Sequence, residues 1–200
     1  MSLSEKSTGN PDIPPRARIL AAAKQLFYAR GIRAVSVDEI AAAARTNKMT
    51  LYRHFKSKDL LIAEYLRTLA AESDNVWDEI ARDHPGNPSA QLRAWVTLIG
   101  GHLGESGGRG CALANAAIEL PEADHPARAV IEGHKTHQRD QLMRLCREAG
   151  YRRPDRLADE IFLLLEGARV NLQSVGAGGP GARFPEMVCA LMKSHADDRF

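Results

Sequence analysis

Apolar side chains recur along this chain at helical spacing, and nowhere with the two-residue alternation of a half-buried strand. Pro14 and Pro15 open a first helix, whose stripe is Ile19, Ala23, Leu26 and Phe27. Gly31 ends it, with Ile32 as the apolar contact that follows such a stop. Ser36 and Glu39 have the S-x-x-E spacing of a capping box, and Val35 before the cap can pack on Ile40. The second helix is short and reaches about Ala44. Arg45 and Thr46 make a tight connection to a third short helix, which Asn47 caps and Leu51, Tyr52 and Phe55 anchor. Ser57 caps a long fourth helix, with Asp59 in its first turn, that runs to about Ile80.

Beyond it, the turn-rich segment 83–88 predicts a break. Helices are expected over about 89–103, 111–120, 126–150, 154–175 and 185–196. Glycine-rich loops are expected at 104–110 and 176–181. The pattern predicts an all-α protein with a helix-turn-helix domain over 14–58 and a helical bundle over 59–200. Residues 1–13 are polar and read as a disordered arm, with no apolar segment of a secretory signal. No apolar run approaches the roughly 20 residues that span a bilayer.

Composition agrees with helices, and the 44% apolar content is enough for a core. Charge changes the picture more. The net charge is only +2, yet residues 16–58 carry ten Lys/Arg against two acidic residues, Asp38 and Glu39. The remainder carries seventeen against twenty-three. A basic block on an acidic remainder suggests that one end meets a polyanion, although it would also fit a membrane-surface helix. Cys111, Cys146 and Cys189 are odd in number and lack metal-ligand spacing, which predicts free thiols in a reducing cytosol.

Two short helices, a tight turn and a basic second helix suit the major groove of double-stranded DNA. The residues nearest the bases are then Asn47, Lys48 and Thr50, followed by Tyr52, Arg53 and His54. Lys and Arg reach phosphates or guanine edges, and Asn and Thr can read base edges. Lys56 and Lys58 lie where they can grip phosphate, helped by the amides at the start of the fourth helix. Ser36, Val37, Arg45 and Thr46 complete the candidate DNA-facing set.

The run 50–61, TLYRHFKSKDLL, resembles the recognition-helix signature of the TetR family of regulators. The segments 36–44, SVDEIAAAA, and 18–27, RILAAAKQLF, with Gly31 after them, resemble that family's second and first helices. The likeness covers about residues 14–62, and the segment 110–119 is similar to one found in several members. It implies a cytoplasmic homodimer that reads a near-palindromic operator, most simply as a repressor released by a small-molecule effector. Two positions depart from the family pattern: Arg45 stands where glycine is frequent, and Met49 where a small residue is frequent. A left-handed Arg45 would cost roughly 1–2 kcal/mol.

In the C-terminal part, Trp77, Trp95, Ile99, His102, Leu113 and Ile118 are candidate ligand-lining residues, although the apolar ones could equally be plain core. Ile161, Leu164, Leu165 and Ala168 form one stripe, and Met187, Val188 and Leu191 form another. These two are expected to build an intermolecular four-helix bundle. The alternative is that both stripes close the chain's own core. His134 and His137 share a helix face and read as a solvated or pocket-lining pair more readily than as metal ligands with His102 or Glu119. Cys111 follows a glycine loop at a helix start, the setting of a redox- or electrophile-sensing thiol in an alternative regulator. No catalytic motif is present, and neither a metal nor a cofactor is expected. A small helical binding protein or enzyme without a DNA role is the rival reading.

Overall fold

Proline and glycine set the first helix. The computed structural model describes residues 13–105 and 110–196, and the side chains of all of these except 104 and 105. In it α1 spans Pro15–Arg30, with proline in the first turn where an amide would have no helical acceptor. Gly31 stops the helix at φ +89°, its N–H bonded to Phe27 O at 2.9 Å. A Cβ at that position would also lie 3.1 Å from the Glu119 carboxylate.

The Ser36–Glu39 capping box forms as the spacing predicts and starts α2, Val37–Ala43. Its far end closes as a Schellman turn: Arg45 N–H bonds to Ala42 O at 3.0 Å, and Thr46 N–H to Ala41 O at 2.9 Å. That turn puts Arg45 at φ +49°, the left-handed position usually given to glycine. Asn47 Oδ1 accepts from Thr50 N–H at 2.8 Å and caps α3, Lys48–Phe55. Ser57 Oγ accepts from Leu60 N–H and caps α4, Lys58–Asp83.

The later helices are α5 (Pro88–Glu105), α6 (Ala112–Glu119), α7 (Pro126–Glu148), α8 (Pro154–Val175) and α9 (Phe184–Ser194). Among the described residues there is no strand. Two loop expectations change. Gly104 belongs to α5, and residues 106–109 of the expected loop lie outside the described residues. At Gly100, earlier in α5, a Cβ would meet Pro185 Cγ at 2.3 Å, so glycine lets the two helices approach. The second loop ends in a 3-10 turn, Pro180–Arg183, because Asn171 Oδ1 accepts from Gly181 N–H at 2.8 Å. The expected disordered arm, apart from Ile13, lies outside the described residues.

The chain divides into two compact units, residues 1–71 with 112–132, and residues 72–111 with 133–200. The first has its core around Ile19, Phe27, Ile40, Leu51, Phe55 and Leu66, with Phe27 and Tyr65 rings 5.5 Å apart. Within this unit Arg33 donates to Glu119 through its N–H and Nε, and to Glu122 through Nη2. The second unit is built on the Trp77–Trp95 stack, with centroids 5.0 Å apart and planes 11° apart. The Phe184 ring stands edge-on to Trp95, and Leu142, Leu145 and Leu157 fill the surroundings. No helix among the described residues is long and apolar enough to cross a membrane.

Candidate nucleic-acid interface

The short helices α2 and α3 owe their orientation to what they bury. Ile40 and Ala41 of α2 and Leu51 and Phe55 of α3 face the core. The remaining positions of α3 are therefore turned outward, with period 3.6. Lys48, Tyr52 and Arg53 are exposed, Thr50 and His54 are half-buried, and Met49 is 80% exposed. Sequence reasoning noted Met49 without placing it among the site residues, and its exposure puts it on the outward row.

Not every candidate keeps a free hand. Val37 is only 8% exposed and belongs to the core, so its side chain leaves the DNA-facing set. The reason is the helix phase: Val37 lies three residues before Ile40 and four before Ala41, on the buried face. Ser36 is occupied by the capping box, through both its N–H and its hydroxyl. Asn47 is exposed with its oxygen engaged as the helix cap, leaving its amide NH2 as the group that can reach outward. Lys48 lies 3.3 Å from Asp38, an exposed pair that a nearby phosphate can replace. Arg45 is exposed on the Schellman turn, next to the half-buried Thr46. Lys58 is half-buried, with Nζ bonded to Ile32 O at 2.8 Å, and burial lowers its pKa. Lys56, exposed at the end of α3 with φ +61°, has the reach that sequence reasoning gave to both lysines.

Charge in this corner is ordered by Glu39. Its carboxyl pKa falls to about 2, first because it accepts from Ser36 N–H, then because Arg30 bonds it. The carboxylate thereby neutralises Arg30 and leaves the α3 cations as the basic surface.

The C-terminal candidates separate. Trp77, Trp95 and Ile99 come together in the second unit, where the two tryptophans are buried core. His102 is exposed there. Leu113 and Ile118 belong to the other unit, and Ile118 is 79% exposed, which removes it from any buried lining. Of the two dimer stripes, Ile161, Leu165 and Val188 are fully buried in the chain's own core, so for them the core alternative holds. Leu164, Ala168, Met187 and Leu191 instead line an apolar groove of about 930 Å³ along α8, the 3-10 turn and α9. Leu163, 69% exposed and absent from the expected set, lines it too. Cys111 is half-buried, 3.9 Å from Lys135 Nζ, and that ammonium is held by both Glu166 oxygens at 2.7 Å. Cys146 is buried, with its thiol pushed up to about 12 by burial. Among the described residues no group of three or more metal-ligating side chains comes together.

Residues 19–65 match the family model described as bacterial regulatory proteins of the tetR family. The chain is 26% identical over 107 residues to the HTH-type transcriptional repressor DhaR of Mycobacterium sp. (strain GP1), covering 54% of this chain and 52% of that one. It is 44% identical over 122 residues to the HTH-type transcriptional repressor KstR2 of Rhodococcus jostii, covering 61% of this chain and 50% of the relative. The matched stretch thus spans about half the length of these two relatives. A solved TetR-family transcriptional regulator from Streptomyces coelicolor superposes with a TM-score of 0.85 at 28% identity, over 92% of this chain and 96% of that one. Helix order, capping geometry and these likenesses agree: residues 19–65 match the tetR family, and the chain shares the fold of a TetR-family regulator.

Proposed function

We propose that this protein is a ligand-responsive DNA-binding regulator that acts as a repressor, and not an enzyme. The observation that carries the reading is α3: buried Leu51 and Phe55 fix it in the head, and Lys48, Met49, Tyr52 and Arg53 form its outward row. Such a helix, preceded by a four-residue connection from α2, fits a major groove. In this reading Lys48 and Thr50, with the Asn47 amide, meet base edges. Arg45, Thr46, Tyr52, Arg53, His54 and Lys56 meet phosphate or flanking bases, and Lys58 positions the head.

One such head covers too little DNA for tight specific binding, so a second copy is required. The apolar groove formed by Leu163, Leu164, Met187 and Leu191 supports self-association, its occupant being the same face of another copy. The two heads then read a near-palindromic operator in the cytoplasm, and a small molecule bound by the helices beyond the head weakens that binding. The names of DhaR and KstR2 as repressors support the sign of regulation.

The test is selection of genomic fragments with purified protein, followed by titration of the selected duplex across a salt series. The expected result is enrichment of a near-palindrome and a steep fall in affinity with salt. No enrichment, together with a flat salt response, would overturn the reading.

A further inference from the structure

Three polar atoms in the second unit are buried without a hydrogen-bond partner: Asp74 Oδ1 on α4, and His134 Nδ1 and Gln138 Oε1 on α7. His134 is 8% exposed and Gln138 2%, and they lie four residues apart, on one face of α7. Asp74 Oδ1 itself lies 3.6 Å from His137 Nε2, beyond hydrogen-bond range though within ion-pair reach, and the Asp74 charge is felt at His134. A folded chain rarely leaves one such atom unsatisfied, so three on the facing parts of α4 and α7 call for a partner, either water or a ligand. The Asp74 side chain is half-exposed although its Oδ1 is buried.

The chemistry of the three atoms limits what fits. The carboxylate and amide oxygens only accept. His134 is held neutral because burial lowers its pKa, helped by the charges of Lys135 and Arg169, so its Nδ1 can accept as well. A primary ammonium brings three N–H donors to three acceptors, whereas a hydroxyl brings one. Charge points the same way. Lys135 and Arg169 are engaged by Glu166 at 2.7 and 2.8 Å, while Asp74 is within ion-pair reach of His137 alone among the described residues, without a hydrogen bond. Trp77, three residues after Asp74 on α4, is buried core stacked on Trp95, so apolar surroundings begin within one turn of Asp74 and suit an aryl or alkyl body.

We propose that Asp74, His134 and Gln138 form the polar end of a binding site for a small organic molecule that carries a primary ammonium on an apolar body. The inference rests on the ligand-responsive reading above and names the chemistry of its ligand.

The experiment is calorimetric titration of the full chain with three matched probes: 2-phenylethylamine, 2-phenylethanol and propylbenzene. Operator binding is measured in parallel on the same preparation. The amine should bind saturably and at least about tenfold more tightly than the alcohol or the hydrocarbon. Asp74→Asn and Gln138→Met should remove that preference. Gln138→Met should also raise the thermal midpoint, because it replaces an unpartnered polar group with an apolar one of similar volume. Equal binding of all three probes overturns the proposal, as does no binding of any, the result expected of a cluster filled by water alone. So does a variant that loses stability and keeps the preference. Selected DNA without amine binding sinks this site and leaves the regulator standing, and amine binding without DNA selection does the reverse.

Discussion

Lys58 Nζ donates to the carbonyl oxygen of Ile32 at 2.8 Å, tying the start of α4 to the corner between α1 and α2. The ammonium is half-buried there, and burial lowers its pKa. Lys58→Ala is therefore expected to lower head stability by roughly 1–2 kcal/mol, the worth of a partly screened charged hydrogen bond. It should weaken binding to operator and scrambled duplex by similar factors. Urea melts and fluorescence anisotropy on both duplexes check this. Unchanged stability with lost affinity would return Lys58 to a direct phosphate contact.

Asn47 caps α3 through Oδ1, so its replacement acts first on folding. Asn47→Ala should cost about 1 kcal/mol, and Asn47→Ser should recover most of it. Lys48→Ala and Arg53→Ala, at exposed positions, should stay within about 0.5 kcal/mol of the parent in melts. Lys48→Ala should change the ranking of operator variants. An unchanged ranking would mean that this end of α3 does not face the bases.

The capping box makes a pH prediction. The pKa of Glu39 falls from 4.5 to about 2 on folding, mainly through the Ser36 N–H and then Arg30. A lowered carboxyl pKa gives stability that is fully present above the unfolded value and is lost as pH falls through the folded one. The contribution should therefore fade between about pH 4.5 and 2. Glu39→Gln, which can still cap, should flatten the thermal midpoint across that window. Parallel slopes for parent and variant would refute the assignment.

Gly31 carries two constraints at once, φ +89° and a Glu119 carboxylate 3.1 Å from where a Cβ would stand. Gly31→Ala should destabilise by roughly 1–2 kcal/mol from backbone strain and crowding. Because Glu119 also accepts from Arg33 N–H, the variant should disturb that bond. Glu119→Ala in the Gly31→Ala background should then recover less than the crowding alone predicts. A neutral Gly31→Ala would exclude both effects.

Self-association is tested by two leucines two residues apart. Leu163 is exposed in the apolar groove, and Leu165 is fully buried in the chain's own core. Leu163→Glu should give a folded monomer by sedimentation, with operator affinity lowered at least about tenfold by loss of the second head. Leu165→Glu should instead unfold the second unit, since an unpaired buried carboxylate is costly. A dimeric Leu163→Glu would remove this groove from the interface.

Much of the fold was legible because it is written in local rules. The Ser36–Glu39 box, the Asn47 and Ser57 caps and the stop at Gly31 need only residues within one or two turns, and each stands where the spacing predicts. The outward row of α3 follows from the phase of Leu51 and Phe55, which is again local. The tertiary structure decided what depends on neighbours distant in sequence. Periodicity shows that Ile161, Leu164, Leu165 and Ala168 share a helix face, but not whether that face meets α9 of the same chain or another copy. Packing divides it, burying Ile161 and Leu165 and leaving Leu164 on the groove. Lys58 could not be tied to Ile32 by spacing, because the two are 26 residues apart. The orphaned atoms of Asp74, His134 and Gln138 were equally hidden. A polar side chain is unpartnered only with respect to everything packed around it, and that environment exists only once α4 and α7 stand together.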